Sequence, residues 1–160
     1  MPSYLSFARF YDGLMQDACY EKRCGYILEL AEKFRHDMGI TLDLACGTGT
    51  LTRLLKKRGV DVFGIDYSME MLSEAMQSAS EEGLDILFLR QKMQSIDLYG
   101  TINTCVCTLD SINHLTKIED VAKTFDRVGL FMDDDGLFIF DVNTVYKHKN
   151  VLADNTFVYE

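Results

Sequence analysis

The chain reads as an α/β domain: a doubly wound parallel sheet of about five strands, with helices on both faces and a helical cap at the N-terminus. Three observations carry that reading. Short apolar runs alternate with segments of helical spacing from residue 41 to residue 142, the order that βαβ units produce. The runs are apolar at consecutive positions, as strands buried on both faces are. The first run also feeds directly into a Gly-x-Gly turn, Gly47-Thr48-Gly49, that opens a helix, and such turns sit at the carboxyl edge of doubly wound sheets.

The elements follow in order. Residues 3–35 are expected to be helical, with Phe7, Phe10, Tyr11, Leu14 and Met15, then Ile27, Leu28, Leu30, Ala31 and Phe34, at the three-and-four spacing of a buried face. Gly13 and residues 17–20 divide the segment into two helices. This gives a helical cap over residues 1–36 and a core over 37–160, packed as one domain. The first strand spans 41–45 and the helix after it 48–58; Gly59 closes that helix, and Lys56, Lys57 and Arg58 suit its negative end. A second strand, 61–65, leads to Asp66. Ser68 then reads as the N-cap of a helix carrying Met69, Met71, Leu72, Ala75 and Met76, which Gly83 ends. The third strand is expected over 85–89, the fourth over 102–109, a helix over 118–131 and the fifth strand over 136–142. Asp133-Asp134-Asp135-Gly136 reads as a solvated turn before that last strand.

Composition bounds the partners. A chain of 160 residues with 48% hydrophobic content can bury one core. Its net charge of −9 repels phosphate backbones and anionic membranes, which makes nucleic acid an unlikely partner and favours small molecules. No apolar run reaches the length of a membrane span. Five cysteines without a Cys-x-x-Cys pair fit a reducing cytoplasm. Cys105 and Cys107 share one strand face as small core residues, and no metal site is expected.

The glycine turn narrows the ligand. A dinucleotide fingerprint needs a third glycine where Thr52 stands, so a nicotinamide-dependent oxidoreductase is disfavoured. No Lys-Ser or Lys-Thr follows the turn, which excludes a phosphate-gripping P-loop. Asp66, 23 residues past Asp43, can accept hydrogen bonds from both hydroxyls of a ribose. Asp43 can face a cationic amino group. A ligand with a ribose, an ammonium and no phosphate is S-adenosylmethionine.

Residues 41–50, Thr-Leu-Asp-Leu-Ala-Cys-Gly-Thr-Gly-Thr, resemble motif I of the class I S-adenosylmethionine-dependent methyltransferases, whose core is Rossmann-like. The likeness continues along nearly the whole chain. It implies that Asp43, Ala45, Cys46, Gly47 and Gly49 surround the methionine moiety. Residues 64–72 look like the second motif, with Asp66 on the ribose hydroxyls and Tyr67 or Met71 along the adenosine. At the third strand end such proteins usually carry Asp-Met, whereas this chain has Lys92-Met93. The lysine only donates, which leaves the Met93 backbone to pair with the adenine and Gln91 as a substitute acceptor. Residues 108–115 look like the fourth motif, which implies Leu109 and Asp110 beside the cofactor, with Asp110 and His114 towards an acceptor. His114 is a candidate general base; the alternative is that it packs under the following loop. Tyr11 either reaches the sulfonium or belongs to an amphipathic stripe. Arg23 stands where relatives often carry Trp.

Members of this class usually add two further strands after the fifth. The resemblance therefore implies a C-terminally truncated core with an exposed sheet edge and self-association through it. The function it implies is methyl transfer to an unidentified, small-molecule acceptor. The alternative is a non-catalytic cofactor-binding or partner-binding remnant.

Overall fold

A computed structural model describes residues 19–153 and 155 of the chain. Strand β1 (Ile40–Leu44) is buried from Thr41 onward because it runs through the middle of the sheet. Strands β2 (Asp61–Asp66) and β3 (Phe88–Arg90) lie on one side of it, and β4 (Ile102–Cys107) and β5 (Met132–Phe140) on the other, in the order β3-β2-β1-β4-β5. Every pairing is parallel. The order reverses between β1 and β4, and ligands of such sheets bind at the carboxyl ends beside that switch.

The sheet is covered on both faces. Leu42 and Leu44 of β1, Ile65 of β2, and Cys105 and Cys107 of β4 pack in one apolar cluster with Val128, a residue of helix α4 (Ile118–Phe131). Val62 and Val106 point the other way. They meet Cys24 and Ile27 of helix α1 (Tyr20–Lys33) and Leu51 and Leu55 of helix α2 (Thr50–Lys57). This two-sided burial is what the consecutive apolar positions anticipated.

The helix boundaries follow local chemistry. Gly59, at φ 86°, closes α2, its N–H donating to Lys56 O. Ser68 caps helix α3 (Met69–Glu81), its hydroxyl accepting from Met71 N at 3.2 Å, and Gly83 follows that helix at φ 67°. Helix α1 buries Cys24, Ile27 and Ala31, but Phe34, expected on the same face, is exposed as the residue after the last turn. The first helix of the expected cap, with Phe7, Phe10, Tyr11, Leu14 and Met15, lies outside the described residues, as do residues 156–160.

Three strands differ from expectation. The third covers only Phe88–Arg90, the residues in register with β2; Leu87 just before them still accepts from Gly64 N at 2.9 Å, but its side chain is exposed. The fourth stops at Cys107, since Leu109 and Asp110 are left-handed (φ 58° and 66°) and leave the ladder. The fifth begins at Met132, directly after α4, and ends at Phe140. Its register advances from Ile102↔Met132 to Thr104↔Leu137, so the acidic run forms an irregularity inside the strand instead of a turn before it. Asp134 and Asp135 are solvated there, while Asp133 accepts from Asn103 Nδ2 at 2.9 Å. An exposed π-helical turn, Lys147–Leu152, follows and was not anticipated.

Candidate functional site

The chain leaves β1 through a turn in which Ala45, Gly47 and Gly49 are all left-handed (φ 62°, 55° and 70°). Cys46 N donates to Ile65 O and Gly49 N to Cys46 O, which fixes the turn over the end of β2. The two glycines serve different ends. A Cβ on Gly47 would meet nothing within 4 Å, because that position faces open space. A Cβ on Gly49 would stand 3.0 Å from Ala75 Cβ and from Phe88 Cζ, so this glycine permits α3 and β3 to approach the turn.

Asp66 ends β2 beneath the turn. Its Oδ2 accepts from Gly47 N at 2.9 Å and its Oδ1 from Ser68 N at 2.8 Å. Each carboxylate oxygen accepts two hydrogen bonds, so one site per oxygen remains for a ligand hydroxyl. Above it opens a cleft of about 610 Å³, within the range of small-molecule sites. Its walls include Ala45, Gly47, Asp66, Tyr67, Met71, Met93, Leu109 and His114, together with Lys92, Gln91, Gln94, Ser111 and Leu115.

Asp43 stands behind the turn and not in the cleft itself. It borders a side cavity of about 40 Å³ that shares Ala45, Gly47, Leu109 and Ser111 with the cleft and also touches Cys46 and Tyr20. That volume admits a water. Thr52, the residue in place of the third glycine, donates its hydroxyl to Asp43 Oδ2 at 2.6 Å. Burial pushes the Asp43 carboxyl up to about 7; the Thr52 hydrogen bond opposes this, and the Asp66 charge adds to it. Burial, then the nearby Asp43, Asp141 and Asp66 carboxylates, also hold the Cys107 thiol far above its ordinary range. Three acids thus gather at the carboxyl ends of β1, β2 and β5, a setting that suits a cation.

The wall expected to face an adenosine carries the chain's own departures. Lys92 Nζ sits 4.9 Å from the Tyr67 ring centroid and Arg90 Cζ 5.5 Å from it, so the half-exposed ring holds both cations. Gln91 is engaged: its side chain donates to Asp97 O and accepts from Asp97 N at 2.7 Å. Each end of that amide is used once to lock the following loop, so Gln91 is held in place while its Oε1 keeps a second lone pair.

Of the residues singled out in the sequence, Gly49 and Asp110 border neither the cleft nor the side cavity. The Asp110 carboxylate turns to Asn143, accepting from its backbone N at 2.9 Å and pairing with its side-chain amide. His114 is exposed at the cleft rim and does not pack under the following loop. Tyr11 lies outside the described residues.

Asp141 escaped the sequence reading. Its carboxylate accepts from Leu109 N at 3.1 Å and Asp110 N at 2.6 Å and pairs with Arg23. A leucine in the left-handed region costs about 1–2 kcal/mol, so the Leu109 step needs such an anchor. The signal was an acid at a strand end, Phe140-Asp141, hidden because the strand was expected to run to residue 142.

Comparisons with known proteins identify the family. Residues 41–136 match the profile of the methyltransferase domain family. The chain is 40% identical over 156 residues to the candidate methyltransferase YqeM of Bacillus subtilis, covering 96% of this chain and 61% of that protein. It is 33% identical over 156 residues to a candidate methyltransferase of Geobacillus sp., covering 97% and 63%. A crystal structure of an S-adenosylmethionine-dependent methyltransferase from Clostridium acetobutylicum superposes with a TM-score of 0.86 at 34% identity, covering 98% of this chain and 64% of that one. The chain thus spans a little under two thirds of the length of these relatives. The family profile covers more than half of the chain, including the glycine turn and Asp66, and the chain belongs to the methyltransferase domain family.

Proposed function

We propose that this chain binds S-adenosylmethionine and passes its methyl group to a small-molecule acceptor. One observation carries the reading: a left-handed glycine turn hydrogen-bonded to the Asp66 carboxylate, at the floor of a cleft open above Gly47. The 34% identity to a methyltransferase named for its dependence on this cofactor supports it. The residues fit the group. Asp66 keeps one accepting site per oxygen for the ribose hydroxyls, and the bare Gly47 backbone leaves room beside them. Asp43 faces the ammonium across the side cavity, directly or through a water.

When bound, S-adenosylmethionine supplies an electrophilic methyl group on a sulfonium centre. Ala45, Gly47 and Leu109 shape the wall against which that centre rests, and Leu109 and Leu115 keep water from it. Tyr67, Met71 and Met93 flank the adenosine, and Lys92 is drawn onto the Tyr67 ring instead of accepting from the adenine amine. An in-line displacement is accelerated mainly by alignment of acceptor and methyl, so no side chain has to move a proton if the acceptor is already nucleophilic. For an acceptor that must lose a proton, His114 and Ser111 are the polar groups on that wall. The net charge of −9 favours a neutral or cationic small molecule over nucleic acid.

The deciding experiment is calorimetric titration of the folded chain with S-adenosylmethionine, repeated with Asp66→Ala. Micromolar binding that weakens at least about tenfold in the variant supports the reading, since hydrogen bonds to charged groups contribute about 1.5–3 kcal/mol. Wild-type protein that is folded by circular dichroism and binds nothing sinks it.

Two lesser points belong to the same proposal. Among the described strands, β5 pairs with β4 alone, and Phe125, Phe138 and Phe140 cluster beside it with centroids 5.1–5.4 Å apart, two of them well exposed. An open edge beside an aromatic patch supports pairing with a second copy of the chain; concentration-dependent sedimentation would show it, and a strict monomer would contradict it. The unpaired thiols, three of them buried, support a cytoplasmic location.

A further inference from the structure

We infer that Asp141, together with Arg23, is a positioning residue that sets the acceptor-side wall of the cleft and ties it to α1; the inference rests on the cofactor reading above. Asp141 follows the last residue of β5 and reaches back over the end of β4. Its Oδ1 accepts from Asp110 N at 2.6 Å and its Oδ2 from Leu109 N at 3.1 Å, while Oδ2 also meets Nη1 of Arg23, 118 residues away in sequence. Leu109 and Asp110 are consecutive, left-handed and not glycine. Such a step persists only where its surroundings fix it, and here one carboxylate holds both of its amides. Asp110 answers in the other direction by accepting from Asn143 N at 2.9 Å. The loops after β4 and β5 are therefore stitched both ways.

The stitch holds a functional surface. Leu109 and Ser111 border both the cleft and the side cavity beside Asp43, and His114 follows on the same short turn, Ser111–His114. Arg23 adds a charge lock from α1, the helix whose Tyr20 borders that side cavity. Neither Arg23 nor Asp141 falls within the 41–136 span of the family profile. The wall of the shared core is thus anchored from segments on either side of it. Replacing Asp141 by Asn keeps the shape but turns one oxygen into a donor, so only one of the two amides can still be satisfied.

The test is calorimetric affinity for S-adenosylmethionine and its demethylated product in the wild-type chain, Asp141→Asn, Arg23→Gln and the double variant, each well below its melting temperature. Asp141→Asn is expected to weaken binding of S-adenosylmethionine about tenfold, as when the competent wall population falls to about one tenth. Arg23→Gln should weaken it less, and the double variant should be no worse than Asp141→Asn, because both act through one carboxylate. The product, lacking the methyl that meets this wall, should lose less. A folded Asp141→Asn protein with wild-type affinity and only a lower melting temperature overturns the inference. If that variant does not fold, Arg23→Gln decides alone: weaker binding supports the inference and unchanged binding overturns it. Absence of binding by the folded wild-type chain removes the cofactor reading and this inference with it, while binding by wild type with unaffected variants removes the inference alone.

Discussion

Cofactor binding should carry the titration of Asp43. The carboxyl is fully buried, its hydrogen bond to Thr52 does not offset the loss of water, and burial pushes it up to about 7. An ammonium is attracted only by the ionised form, so the ligand selects that form and a proton leaves as it binds. With a free-site value of about 7, roughly half of the molecules are competent at pH 7 and about 3% at pH 5.5, so apparent affinity should fall about 15-fold between them. That corresponds to about 1.6 kcal/mol. The window stops at pH 7 because a free α-amino group itself loses charge around pH 7.7–8.0. The assay is calorimetric titration at half-unit steps, in two buffers of different ionisation enthalpy, which reads the proton release directly. His114→Asn, a change at the cleft rim, should keep the dependence, and Asp43→Asn should abolish it. A wild-type affinity flat from pH 5.5 to 7, with heats independent of buffer, would refute the placement of an ammonium opposite Asp43.

Three further outcomes follow from the same residues. Thr52→Val removes the hydrogen bond that lowers the Asp43 titration, so the midpoint of the affinity profile should move up by about one pH unit, the equivalent of about 1.4 kcal/mol; an unmoved midpoint argues that Thr52 is only packing. Asp43→Asn should raise stability while weakening binding. The folded carboxyl titrates at about 7 against 3.8 for the ordinary group, so its stabilising contribution is complete below the unfolded value and is lost as pH rises through 7. Removing the charge should therefore help at pH 8 by up to about 4 kcal/mol, seen as a higher denaturant midpoint there and little change at pH 4. Gly47→Ala should fold with a cost of about 1–2 kcal/mol yet bind the cofactor poorly. Gly49→Ala adds overpacking against Ala75 and Phe88, about 1–3 kcal/mol more, and thermal melts that rank the two the other way would contradict the division of labour in the turn.

The sheet and the first half of the site were legible because they depend on local chemistry. Consecutive apolar residues mark a strand buried on both faces wherever its partners lie. The pairing of a glycine turn with Asp66 needs only the spacing of one βαβ unit, and the structure joins them with a 2.9 Å hydrogen bond. Ser68, Gly59 and Gly83 act within one helical turn of themselves, and each was read correctly. What failed was non-local. Gly49 looked like ligand contact until Ala75 and Phe88, 26 and 39 residues later, were seen to press on it. The sequence likewise does not show that Asp97 folds back on the Gln91 amide and anchors it.

The electrostatics of the site make the same point with more consequence. No single acid reveals its role. Asp43 reads as a cation partner, Asp66 as a ribose acceptor, and Asp141 as a strand residue. Only the parallel register, which ends β1, β2 and β5 along one edge of the sheet, gathers the three where all act on the Cys107 thiol. One of them, Asp141, is balanced by Arg23, and another, Asp66, by two backbone amides. Among the described residues Asp43 has a single neutral hydroxyl, and so it is the carboxylate expected to respond to an incoming charge. If the proposed cofactor binds, its ammonium would supply the charge that the described residues of this sheet edge do not give Asp43.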